Sequence, residues 1–412
     1  MTQRRYDLDW LRIFAFALLI LYHIGMLYVE DWGFHFKSAY TSAFLQNLML
    51  LVNPWRMPLL WMVSGIATAY VFGKCGWLET LKSRTVRLLL PLAFGIWVIV
   101  PPQLWVEMSA NGDFAGSYGT FYGQFFDLDN PVFDGYTAGI WPHVDVNHLW
   151  YLRELWTFTL LLLLAMPLLN RIRDQRWVKR LWMPAGSVSV LFGLPLILAV
   201  LDLAFFPRVG GDGHREAVGL AYFLIGYLMT FQQSVWDALA RWRRWALGGA
   251  LVTYTLFLAG YHLIWLPSGG DLSDAQGITL TILTHSNRWL WLAALFGYGF
   301  TYLNRPHPWL PYLTAGVYPF YLVHQTFVIV LAFALSGLTL GPVLEPLLVA
   351  AGTFAGCALT YELARRVMPL RPLFGLKLWP DEASASKSPM LRYATIGAAS
   401  LIVIPIGLEI LL

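Results

Sequence analysis

The chain has 412 residues, of which 58% are hydrophobic and only 13% charged. That balance excludes an ordinary soluble domain and points to a polytopic helical membrane protein. A formal net charge of +4 and two cysteines carry neither a nucleic-acid signature nor a disulfide framework.

Arg4 and Arg5 precede the first apolar run, as in a signal peptide, but no small-residue cleavage site follows. The run is therefore read as a retained first span. Runs near the length needed to cross a bilayer mark ten helices. They are Leu8–Val29, Leu45–Phe72, Leu88–Val106, Leu149–Leu169, Leu181–Phe206, Ala217–Phe231, Trp245–Leu266, Leu280–Leu303, Leu313–Leu335 and Val343–Ala364. The second is long enough to tilt or kink, and Asn53, Pro54 and Pro58 favour a break within it. An eleventh run, Tyr393–Leu411, is long enough to span or to lie at the surface. The expected fold is all-α: a ten-helix transmembrane core over residues 4–378, a polar cytoplasmic linker over 379–391, and an extra helix within 392–412.

The basic residues orient this map. With a cytoplasmic N-terminus, 21 of the 28 fall on the cytoplasmic side, at Arg4–Arg5, Lys74–Arg87, Arg171–Arg180, Arg241–Arg244, Arg305 and Arg365–Arg392. The outer loops keep only Lys37, Arg208 and Arg215. This asymmetry predicts a multi-pass protein of the inner membrane with its N-terminus inside. The longest outer loop, Glu107–Asn147, holds Glu107, Asp113, Asp127, Asp129, Asp134 and Asp145 and no Lys or Arg. No internal repeat is evident, which weakens inverted-repeat transporter readings.

Several polar residues fall where lipid makes them costly. Arg12 and His23 share the first span. Eleven residues of helix bring them within roughly 20° of one face, about 16 Å apart along the axis. Alone, Arg12 reads as a snorkelling arginine; aligned with His23, it can hold an anionic group near the inner face. His23 is either a histidine bonded to a neighbouring helix or a base that accepts a hydroxyl proton. The cost of burying imidazole favours the base. His324, midway along the ninth span near Pro319, reads equally as a packing residue and as a partner for His23.

His148, beside Asn147, opens the fourth span, followed by Arg153 and Glu154. The last two are about 100° apart on a helix, so they need not pair with each other, and they are expected to bond across to other helices. With Arg56, His262, His285 and Arg288 they form either an outer polar vestibule, the favoured reading, or a set of interhelical hydrogen bonds. Arg84 and Arg87 stand at the cytoplasmic start of the third span. Positive-inside bias accounts for them, and their i, i+3 spacing also suits phosphate binding. No glycine-rich phosphate loop and no metal-binding signature is present.

These residues resemble membrane-bound acyltransferase family 3, in which a basic residue and a histidine ten residues apart mark the first helix. The opening Arg5-Tyr6-Asp7-Leu8-Asp9-Trp10-Leu11-Arg12 and the pair Arg84 and Arg87 fit that family. The segments Arg56–Gly65, His148–Leu152, Phe320–His324 and Tyr361–Arg366, with Pro369–Gly375, look most like its glucan-biosynthesis branch. The similarity runs over residues 4–378. The resemblance implies a cytoplasmic acyl-coenzyme A donor and an acceptor, commonly a carbohydrate, at the outer face. It makes His23 the catalytic residue, assigns Arg12, Arg84 and Arg87 to the donor's side, and calls for no metal. The transferred group would be acetyl or succinyl, with acyl-coenzyme A as co-substrate and no permanently bound cofactor. The expected activity is O-acyl transfer to an extracytoplasmic glycan, with the lipid bilayer as the setting and no nucleic-acid partner. The acceptor's identity does not carry over, because the long acidic loop can shape a different pocket. The rival reading is a transporter or flippase with a polar intramembrane path.

Overall fold

The computed structural model describes residues 4–72, 76–127, 130–136, 146–173, 189–205 and 211–377. Among these the regular elements are helical, and one isolated bridge joins Val29 and Ser42. The longer helices are α1 (Tyr6–Met26), α2 (Ala43–Phe72), α3 (Trp77–Phe94), α4 (Pro101–Asn111), α5 (Tyr118–Gln124), α6 (Trp150–Arg173), α7 (Ser189–Ala204), α8 (Gly211–Met229), α9 (Gln233–Gly260), α10 (Asp274–Tyr298), α11 (Leu310–Leu335) and α12 (Gly341–Arg366). A helix lies over each of the ten predicted spans, although the fifth is described only from Ser189 to Ala204. Six helical stretches among the described residues are long and apolar enough to cross a membrane, among them Tyr6–Met26, Trp77–Asn111 and Leu310–Leu338. The chain is thus an all-α polytopic membrane protein. The predicted linker 379–391 and the helix Tyr393–Leu411 lie outside the described residues.

Two elements differ from expectation. The third helix begins at Trp77 rather than Leu88, so Arg84 and Arg87 lie inside it instead of at its start. Its first turns carry Glu79, Lys82 and the two arginines. These are good helix formers, but they fall below any hydropathy threshold. The second helix is not broken: α2 runs through Pro54 and Pro58. Pro58 has no N–H to offer the Pro54 carbonyl one turn back, and the Arg288 side chain donates Nε–H to that oxygen at 2.8 Å. The same device recurs at Pro91 in α3. The Arg87 carbonyl, left without its helical donor, accepts the Tyr318 hydroxyl at 2.9 Å.

The chain divides into two compact units, and α1, α2, α6 and α11 contribute residues to both. The first comprises Met1–Ala15, Asn47–Cys75 and Leu160–Thr314. Within it α9 packs on α10, and α10 packs on α7. The α2 and α8 helices meet backbone to backbone. A Cβ at Gly65 would overlap the Phe223 carbonyl, and one at Gly226 would overlap Met62. Small residues at such a crossing are how helices associate where lipid removes the hydrophobic drive. Near the N-terminus, Arg5 lies over the Trp236 ring at 3.8 Å and bonds the buried Asp7 carboxylate at 2.7 and 2.8 Å.

The second unit comprises Phe16–Gln46, Gly76–Thr159 and Ala315–Leu412. Its core joins Ile20 and Ile24 of α1, and Leu27 just after it, to Val328 and Ala332 of α11 and Val349 of α12. The loop after α1 is pinned at two points. Lys37 donates to the Met26 and Val29 carbonyls at 2.8 and 2.5 Å, satisfying the helix C-terminus. Burial pushes the Lys37 ammonium pKa down, and nearby Asp31 opposes that shift. Ser38 donates to buried Glu345 on α12 at 2.6 Å.

Candidate active site

Burial of one face of α1 against α11 brings two imidazoles together inside the second unit. His23 Nδ1 lies 2.7 Å from His324 Nε2, and the rings stack with centroids 5.0 Å apart. The far side of His324 fixes the proton positions. Its Nδ1 is 2.7 Å from the Tyr321 carbonyl, which can only accept. His324 therefore carries its proton on Nδ1 and offers a lone pair at Nε2. His23 must then donate from Nδ1, which makes its own Nε2 the basic nitrogen. A buried neutral imidazole thus stands where a carboxylate orients the base in a catalytic triad. His324 is fully buried, whereas His23 is only half-buried, so the inner ring is a fixed support and the outer ring retains exposed surface.

Two further rings close around the pair. Phe34, in the loop after α1, stacks on His23 with centroids 6.4 Å apart. His148 sits edge-on to His324 at 5.1 Å, in the short turn that leads into α6. Asn147 takes a left-handed conformation there, with φ of 51°, which asparagine tolerates better than most residues. Next to it, His148 Nε2–H donates to the Leu322 carbonyl at 3.0 Å, and the Tyr321 hydroxyl donates back to the His148 carbonyl at 2.5 Å. The reciprocal bonds lock the start of α6 to the middle of α11.

A chain of side chains leads away from this centre. His35 bonds Glu107 through Nδ1 and the Asn147 Oδ1 through Nε2, the latter at 2.7 Å. Gln325, the neighbour of His324, donates to Asn147 and to Gln103, each at 3.1 Å. Gln103 donates in turn to Thr326 at 2.7 Å, and Thr326 donates to the Ile99 carbonyl at 2.6 Å. That carbonyl belongs to a π-helical turn, Gly95–Ile99, just before Pro101 and Pro102. Sequence reading missed His35, Glu107, Gln103 and Gln325. The available signal was adjacency: Asn147 precedes His148, and Gln325 follows His324.

The remaining predicted site residues divide between the units. The second unit holds Arg84, Arg87, Arg153 and Glu154 along with the three histidines. Arg153 and Glu154, which their spacing did not require to pair, do pair directly, with Nη2 3.1 Å from the Glu154 carboxylate. The long arginine stem spans the angle between adjacent positions, and the buried glutamate gains a countercharge. Around Arg84 and Arg87, Trp156 donates to Thr85 at 3.2 Å. With the Tyr318 bond to Arg87, this ties that stretch of α3 to α6 and α11.

Arg12, Arg56, His285 and Arg288 belong to the first unit. There Arg56 donates to Asn53 at 3.1 Å. His285 and His214 each lie 2.7 Å from a different oxygen of Asp202. Arg288 serves the Pro54 carbonyl and lies over the Tyr222 ring at 5.9 Å. His262 bonds Asn47 at 2.7 Å. The bonds of His285, His214, Arg288 and His262 join different helical segments, whereas that of Arg56 lies within α2.

The chain is thus a bundle of apolar helices with the His23–His324 pair inside its second unit. The sequence matches the family described as "Acyltransferase domain" over residues 5–362, and the chain belongs to that acyltransferase family. Curated relatives carry the name Glucans biosynthesis protein C. The one from Escherichia coli O139:H28 is 22% identical over 343 residues, covering 79% of this chain and 82% of the relative. The one from Escherichia coli K12 (strain DH10B) is 25% identical over the same length and coverage. No solved structure matches the chain.

Proposed function

We propose that this protein moves an acyl group, acetyl or succinyl, from cytoplasmic acyl-coenzyme A to a hydroxyl of a glycan on the outer side of the inner membrane. The observation that carries this reading is the His23–His324 pair, because its geometry leaves His23 Nε2 as a base on a half-exposed ring. The relatives' name supports a glucan as the acceptor class. In the reaction, the acceptor oxygen attacks the thioester carbonyl while His23 Nε2 takes the hydroxyl proton. The tetrahedral intermediate then collapses with cleavage of the carbon–sulfur bond, and His23 returns the proton to the departing thiolate. During the step the His23 imidazolium keeps donating from Nδ1 to His324, which holds the ring in place. A transient acyl-histidine is the variant in which Nε2 itself attacks the carbonyl.

Arg84 and Arg87 are assigned to the coenzyme's phosphates. Replacing both residues in an Arg84→Ala, Arg87→Ala variant should raise the KM for acyl-coenzyme A by about tenfold or more, as expected for lost charge-assisted bonds. Initial rates against donor concentration check this. An unchanged donor dependence would remove both residues from the site. The reading as a whole is tested by giving purified protein labelled acetyl- or succinyl-coenzyme A with a glucan acceptor. Thioester consumption matched by acylated glucan is expected. Solute movement without thioester loss would replace the enzyme with a transporter.

A further inference from the structure

We propose that a cavity bounded by Glu107, Asn111, Asp113, Val132, Gly135 and Tyr136 seats the acceptor sugar and selects neutral glycans over anionic ones. The proposal rests on the acyl-transfer reading above and assigns the acceptor's place within it. The cavity has a volume of about 560 Å³, within the range of small-molecule sites and with room for more than one sugar ring. Its wall mixes the groups that carbohydrates use. Carboxylates accept charge-assisted hydrogen bonds from sugar hydroxyls, an amide offers both donor and acceptor, and Val132 and Gly135 present apolar surface to C–H faces.

Tyr136 is fixed at this wall. Its hydroxyl donates to Asp113 at 2.5 Å and accepts from Asn111 at 3.3 Å. Burial and the Asp113 hydrogen bond both raise its pKa, so the phenol stays protonated.

Glu107 connects this wall to the reaction centre. One of its oxygens lines the route to His35, whose other nitrogen holds Asn147, and Asn147 is held in turn by Gln325 beside His324. A sugar bonded at Glu107 therefore sits at the head of a side-chain relay that ends next to the support of the base. Charge sets the selectivity. The described wall carries the Glu107 and Asp113 carboxylates and no lysine or arginine. An acceptor already carrying phosphate or a succinyl half-ester meets like charge there, whereas a neutral glycan does not. If the transferred group is succinyl, the product is anionic and the same wall favours its release.

The test compares a neutral glucose tetrasaccharide with the same oligosaccharide bearing one phosphate, as acceptors for the purified full-length protein. Wild type should prefer the neutral acceptor by about tenfold in kcat/KM at low salt, with the preference shrinking as ionic strength rises. Asp113→Asn should cut that preference to about twofold and raise the KM for the neutral acceptor, leaving the donor KM unchanged. Equal use of both acceptors by wild type, or an Asp113→Asn variant with wild-type acceptor KM and preference, would overturn the proposal. A calorimetric titration of the neutral tetrasaccharide without donor reads the cavity alone. Weaker binding to folded Asn111→Ala protein supports the assignment, and unchanged binding overturns it. Absence of thioester turnover in wild type would instead defeat the acyl-transfer reading, and the titration would still decide the fate of the cavity.

Discussion

His23→Ala is expected to lower acyl transfer by about a thousandfold or more while the protein remains folded and inserted. His324 Nδ1 is committed to the Tyr321 carbonyl and its Nε2 accepts from His23, so neither nitrogen of His324 can take a substrate proton. Without His23 the Nε2 lone pair of His324 is released, but it lies on a fully buried ring. Because His23 is half-buried and makes its ring contacts at the edge of the core, its loss should leave the α1–α11 core intact. Gel filtration in detergent and a thermal melt separate chemistry from folding. The supporting ring predicts a graded series. His324→Gln keeps an acceptor for His23 Nδ1–H and should retain more activity than His324→Leu, which keeps none. Equal rates for the two variants would mean that His324 fills space and does not orient the base.

The largest effect on stability is expected at the crossing of α2 and α8. Gly65→Leu or Gly226→Leu should destabilise the protein by about 3 kcal/mol or more, with a fall of several degrees in the unfolding midpoint. A Cβ at Gly65 would overlap the Phe223 carbonyl and lie 2.9 Å from the Tyr227 nitrogen. At Gly226 the added atom would overlap Met62 and lie 2.7 Å from its Cα. These obstacles are backbone atoms, so no rotamer change relieves them; the two helices must separate. Gly248→Ala in α9 is the control, since a Cβ there meets nothing within 4 Å. It should leave the melt unchanged or raise it slightly through helix propensity. Equal melts for the Gly65, Gly226 and Gly248 variants would refute the close crossing.

Much of this was legible in the chain. Apolar runs located the helices because twenty lipid-facing positions leave a hydropathy signal that no polar interruption masks. His23 and His324 stood out because buried imidazole is costly in lipid. Their contact was not legible, because the partners are 301 residues apart and neither apolar run encodes which helix lies beside it. The start of α3 was hidden by its charges, which hydropathy assigns to a loop although they are compatible with a helix. The roles of Arg288 and Tyr318 depend on carbonyls freed by Pro58 and Pro91, and a donor from another helix cannot be named from the proline alone. His35 lies in an aperiodic polar stretch, where no pattern separates a network member from a solvated side chain.

In the proposed reaction one oriented imidazole joins a donor on one side of the membrane to an acceptor on the other. Proteoliposomes of uniform orientation, with labelled acyl-coenzyme A confined to the compartment facing the Arg84 end and a glucan only in the opposite one, test it most directly. Labelled glucan is expected in the opposite compartment, with one acyl group per thioester consumed, and none with His23→Ala protein. Product that forms only when donor and acceptor share a compartment, or at equal rates without the His23 imidazole, would contradict it.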